Sequence, residues 1–118
     1  LEMVRQLLAR GDRVTATARV PAAAEALQAL AAGQRERLVV APLDVTDTAS
    51  IESFAAMLAE AAPIDVLVNN AGMLPRGERW GAVSAQALAE AHAVNTAGPF
   101  LLTQALAARL ASAAVVVN

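Results

Sequence analysis

The chain has 118 residues, of which 57% are hydrophobic and 17% charged, with a formal charge of -2. This length suits one domain rather than two; there is no basic stripe to meet nucleic acid and no run of ~20 uninterrupted apolar residues to span a membrane. Cysteine is absent, which excludes disulfides and thiolate metal sites and fits a cytoplasmic setting, and the N-terminus lacks the basic-then-apolar pattern of a signal peptide.

Residues 1–10, "LEMVRQLLAR", place Val4, Leu7 and Leu8 on one helical face, with Gly11 as the stop. "RVTATAR" (13–19) follows as a strand rich in Thr and Val. Pro21 fits the first turn of a second helix, where its missing N–H has no partner to lose; that helix is predicted to run to about Ala32 and end at Gly33. "RLVVAPLDV" (37–45) is a second strand. Asp47 or Thr48 can cap a third helix, whose inward stripe is Ile51, Phe54, Ala55 and Leu58. After Pro63 comes the strand "IDVLVNN", then a loop over residues 73–83. Ser84 can cap a long fourth helix to about Ala111, and "AAVVVN" (113–118) is the last strand.

The order α-β-α-β-α-β-α-β predicts an α/β fold, a doubly wound parallel sheet in a three-layer αβα arrangement. Its strands lack a clean alternation of polar and apolar residues, as expected where both faces are covered. In such sheets ligands bind beyond the carboxyl ends of the strands. Polar residues gather at those ends: Arg19 after the first strand, Asp44 at the second, Asn69 and Asn70 at the third, and Asn118 at the last.

The motifs "DVTD" (44–47), "NNAG" (69–72) and "VN" ending at Asn95 occur in the order and approximate spacing of the short-chain dehydrogenases/reductases. The chain resembles that family along essentially all its length, and most of all its C-factor-like and sniffer-like carbonyl reductases. The resemblance implies a Rossmann-like domain that binds NAD(P). It implies that Asn69 ties neighbouring strands together while Asn70, Ala71 and Gly72 line the cofactor; on the residues alone, this segment also reads as a simple turn. Small side chains at Ala71 and Gly72 would let the backbone approach a ligand closely. Asp44 would meet the adenine amine, and the Val45 N–H a ring nitrogen; the alternative for Asp44 is a helix cap, a task that Asp47 or Thr46 fits better.

Arg19 bears on the choice of cofactor. An acidic residue at this strand end pairs with the ribose 2′-hydroxyl of NAD; here stand Ala18 and Arg19, and a guanidinium can hold a 2′-phosphate in a forked contact. NADP is therefore expected over NAD, with an ordinary surface arginine as the plainer alternative. In the fourth helix Pro99 has no N–H to offer the Asn95 carbonyl. The resemblance makes Asn95 the fourth member of a Ser-Tyr-Lys-Asn catalytic group, its main-chain carbonyl holding a water; a plain helix break, or packing of the Asn against a strand, is the other reading. His92 reads as a surface or interface residue, Trp80 as a loop anchor or part of a substrate mouth, and the acidic residues form no metal-ligand cluster.

All nine basic residues are arginine and there is no tyrosine, so a mechanism that needs Tyr or Lys has neither within these residues. The resemblance places a first strand with its Gly-rich turn before Leu1, between the strands at 13–19 and 64–69, and the catalytic Ser, Tyr and Lys after Asn118. We expect residues 1–118 to be one partial NAD(P)-binding domain, an internal part of a longer protein, inactive alone. The implied function is hydride transfer between NADPH and a carbonyl or alcohol substrate; a non-catalytic NADP sensor or signalling protein is the alternative. The apolar girth of residues 85–111 (Leu88, Val94, Phe100, Leu101, Leu102, Leu106, Leu110) predicts homo-oligomerisation through that helix.

Overall fold

A computed structural model describes residues 1–74 and 79–118, so the loop expected over 73–83 lies in part outside the described residues. The chain forms two compact units, Leu1–Asp44 and Val45–Asn118.

In the first unit, helix α1 (Glu2–Arg10) buries Leu8 and ends at Gly11, whose φ of 95° suits a residue without a Cβ. The Gly11 N–H donates to the Leu8 carbonyl and the Asp12 N–H to that of Leu7, a Schellman closure that satisfies two of the helix's last carbonyls. The Arg37 guanidinium also donates to the Leu8 carbonyl at 3.4 Å, a cation placed at the negative end of the helix. Strand β1 (Val14–Ala18) pairs in parallel with β2 (Leu38–Pro42), from Val14 opposite Leu38 to Ala18 opposite Pro42. Parallel neighbours need a crossover between them. Here it is a 3₁₀ turn over Pro21–Ala23 followed by helix α2 (Glu25–Ala32).

The single helix expected after Pro21 is thus split. Ala24, at φ −88° and ψ 58°, leaves helical geometry, while the Pro21 carbonyl accepts from the Ala24 N–H and the Gln28 carboxamide. Leu8, Leu38, Ala41 and Leu43 supply the buried apolar side chains of this unit.

In the second unit, Asp47 caps helix α3 (Thr48–Met57) by accepting from the Ala49 N–H at 3.0 Å. The expected stripe faces inward, with Ile51, Phe54 and Leu58 buried, and α3 packs against the later helix Gly98–Leu106. Strand β3 (Ile64–Val68) pairs in parallel with β4 (Leu110–Val117). Their register jumps between Ile64–Leu110 and Val66–Val115, so β4 carries extra residues there.

The long fourth helix is a correction. Ser84 does cap it, its hydroxyl accepting from the Ala87 N–H, but the helix is interrupted. Helix α4 (Ala85–His92) passes through a wide π turn (Ala93–Ala97) into α5 (Gly98–Leu106). Pro99 has no N–H to continue the regular ladder, and the Gly98 N–H reaches back five residues to the Ala93 carbonyl. A 3₁₀ turn, Ala107–Arg109, ends the helical run, so β4 starts at Leu110 and not at 113. The Arg109 guanidinium donates to the Ala61 carbonyl, tying this turn to the chain just before β3.

Leu102 and Leu106 face the core, while Leu88 and Phe100 are exposed. Val66, Val115 and Val117 are also exposed, so β3 and β4 are not covered on both faces by the described residues. Leu106 is fully buried, so Leu106→Ala should cost about 2–5 kcal/mol of stability. Glu52→Ala, at an exposed position of α3, should change stability by less than about 0.5 kcal/mol. Urea unfolding of both variants checks the contrast; equal losses would contradict this packing.

Candidate functional site

Parallel pairing sends the carboxyl ends of two strands to one edge. In the first unit the ladder closes with the Leu43 N–H donating to the Ala18 carbonyl, so Arg19 and Asp44 both leave from that edge. Arg19 is exposed and Asp44 is half-buried. Asp47 holds the cap of α3.

In the second unit the edge is built from carboxamides. The Asn69 N–H extends the ladder to the Val117 carbonyl at 2.8 Å. Its side-chain amide donates to the Asn118 carboxamide oxygen at 2.7 Å and to the Thr103 hydroxyl at 3.3 Å. One side chain therefore joins the ends of β3 and β4 and fastens them to α5. The Asn70 N–H then turns back to the Val68 carbonyl at 3.0 Å, which ends the strand abruptly. A polar pair closes this strand because the first amide knits the sheet edge while the second enters a tight turn.

Asn70, Ala71 and Gly72 follow, all exposed. Gly72 has no positive φ, and a Cβ built there would stand 3.8 Å from the Asn95 side chain, an ordinary contact.

The next residue is gripped. The Met73 N–H donates to Asn95 Oδ1 and Asn95 Nδ2 donates to the Met73 carbonyl, both at 2.7 Å. A carboxamide has one acceptor and one donor side, and here both are spent on a single residue. Asn95 sits in the middle of the wide turn, which is what turns its side chain to the loop after β3. Val45 lies against Gly98, the buried first residue of α5 that follows this turn.

Sequence reasoning singled out Asn95 for its main-chain carbonyl, with packing of the Asn against a strand as the alternative, and overlooked the partners Met73 and Thr103. Gly98 interrupts the helical pattern of this segment, and an isolated glycine in such a pattern is a sign of close packing. His92 is exposed in the last turn of α4, and Trp80 is fully exposed. Among the described residues no three His, Cys, Asp or Glu side chains group to hold a metal ion, and no helix is long and apolar enough to cross a membrane.

The family profile of the short chain dehydrogenases matches the chain over residues 1–118. The chain belongs to the short-chain dehydrogenase family. An uncharacterized oxidoreductase, YusZ, of Bacillus subtilis is 49% identical over 67 residues, which is 55% of this chain and 24% of that protein. The NADPH-bound carbonyl reductase from chicken fatty liver is 36% identical with a TM-score of 0.82, over 91% of this chain and 45% of that one. A putative short-chain dehydrogenase/reductase from Burkholderia multivorans with bound NADP is 27% identical with a TM-score of 0.85, over 98% of this chain and 50% of that one. The chain thus spans between 24% and 50% of the length of these relatives. Its α/β architecture with parallel strands is that of the Rossmann-like domain of short-chain dehydrogenases.

Asn95→Ala removes both clamps on Met73. Each hydrogen bond is worth about 0.5–1.5 kcal/mol, so the Met73 amide should exchange with solvent deuterium roughly tenfold faster or more. Unchanged exchange would show that Asn95 does not hold this loop.

Proposed function

We propose that residues 1–118 are part of one NAD(P)-binding domain of an NADP-dependent oxidoreductase, which moves hydride between NADPH and a carbonyl or alcohol substrate. The observation that carries this reading is the set of polar groups at the carboxyl ends of parallel strands in a short-chain dehydrogenase. The resemblance of the chain to an NADPH-bound carbonyl reductase supports it.

The donor set fits NADP. The exposed Arg19 offers a fork for the 2′-phosphate where an NAD enzyme has a carboxylate. Asp44 accepts from the adenine amine, and the Val45 N–H donates to a ring nitrogen. Asn70, Ala71 and Gly72 lie along the ribose and nicotinamide side. Glycine at 72 is required neither by backbone conformation nor by packing within the described residues, and a ligand close to the main chain is the reason we assign to it. Bound there, NADP supplies the hydride-carrying nicotinamide ring.

Asn95 acts by position. Its side chain fixes the Met73 backbone, and Pro99 withholds an N–H from its carbonyl, which is left to hold a water of the proton relay. The relay's tyrosine and lysine are not among these 118 residues, so the described stretch binds and orients while proton transfer needs residues beyond it.

The exposed Leu88, Phe100 and Leu101 on α4 and α5 form the surface we assign to a second copy of the chain. Light scattering that shows only monomer at every concentration would contradict this pairing.

Titration of the intact protein with both cofactors tests the assignment. NADPH should bind at least about tenfold tighter than NADH, the worth of a charge-assisted contact to a phosphate. Arg19→Ala should abolish most of that difference by weakening NADPH alone. Tighter binding of NADH by the unaltered protein would refute it.

A further inference from the structure

We infer that Gly98 is a positioning residue for the adenine end of the cofactor site, setting where the Val45 main chain stands. This rests on the reading of Val45 given above and adds a residue outside the assigned binding set.

Glycine is a poor choice in a helical run, so its presence needs a reason. The backbone does not supply one: Gly98 has φ −56° and ψ −56°, which any residue adopts. The reason is space. A Cβ built on Gly98 would lie 2.9 Å from Val45 Cβ, 2.9 Å from Val45 Cγ2 and 2.9 Å from the Val45 carbonyl oxygen. Carbon atoms do not sit that close to these groups, and one of the three is main chain, which cannot rotate away as a side chain does. The start of α5 and the chain at residue 45 therefore touch backbone to backbone.

What lies on either side makes this contact a gauge rather than a chance approach. Two residues after Val45, Asp47 is fastened as the cap of α3, and α3 packs on α5. The segment 45–47 is held at one end by the cap and at the other by α5. Any side chain at 98 must push residue 45 outward, since the cap stops the segment from sliding along the helix. The Val45 N–H hangs from the same Cα as the crowded Cβ and carbonyl carbon, so displacing that Cα displaces the N–H with it.

The same wide turn holds Met73 through Asn95, three residues before Gly98. One turn thus sets both loops of this unit, the one before α3 and the one after β3. A methyl group at 98 disturbs the first and leaves the side-chain clamp on the second in place.

The test uses the two halves of the cofactor as separate probes on the intact protein. Adenosine 2′,5′-bisphosphate reports the adenine end and reduced nicotinamide mononucleotide the other. Gly98→Ala should weaken the adenine-bearing probe by about tenfold or more and change the nicotinamide probe by less than about twofold. Equal weakening of both would mean a general packing role and overturn the inference, as would no weakening of either. If unaltered protein binds neither probe, the reading of the cofactor site fails first and the inference with it. Should Gly98→Ala not fold, Val45→Ala serves instead: it removes Cγ2, which lies against Gly98, and loosens the same segment. It should give the same split between the probes, and an even effect would again overturn the proposal.

Discussion

Two strands that run parallel must end on the same side. That constraint organises each unit of this chain. Val14 to Ala18 against Leu38 to Pro42 sends Arg19 and Asp44 out from one edge, and Ile64 to Val68 against Leu110 to Val117 does the same for Asn69 and Asn118. No side chain needs to be steered there individually. The ladder of backbone hydrogen bonds places the residue after each strand, and side-chain chemistry acts only on what the ladder has already delivered.

The second unit shows how a sheet edge is made firm enough to present a loop. Strand ends have unpaired backbone groups and fray easily. Asn69 extends the ladder by one backbone bond and adds two side-chain bonds, one across to Asn118 and one down to Thr103 in α5. Asn95 then fixes Met73 from both sides. Between these anchors lie Asn70, Ala71 and Gly72, short, exposed and held at both ends. Much of the order comes from one irregularity: Pro99 breaks the regular helix bonding, the widened turn swings Asn95 toward the loop, and Gly98 lets α5 close on Val45.

Much of this was legible in the sequence. Gly11, Asp47 and Ser84 act as the helix stop and caps expected of them, because capping depends on a few adjacent residues. The stripe of Ile51, Phe54 and Leu58 was equally plain, since helical period alone puts those residues on one face. The break at Ala24 was not legible, because it lies in a run of alanines whose propensity favours unbroken helix. The early start of β4 was hidden for the same reason. Residues 110–112, Leu-Ala-Ser, carry no strand signal and are recruited by pairing with Ile64. The motifs at 44–47 and 69–72 marked the candidate site, yet the partners Thr103, Met73 and Gly98 lie 22 or more residues away from their contacts in the chain and follow from no local pattern.

We propose that a dinucleotide rests on the main chain at Val45 and at residues 70–72. Hydrogen–deuterium exchange of the intact protein with and without NADPH tests it most directly. The cofactor should slow exchange at the Val45 amide and across residues 70–72, with little change on the exposed face of α2. NADPH that binds tightly and leaves those amides exchanging at their free rate would contradict the account.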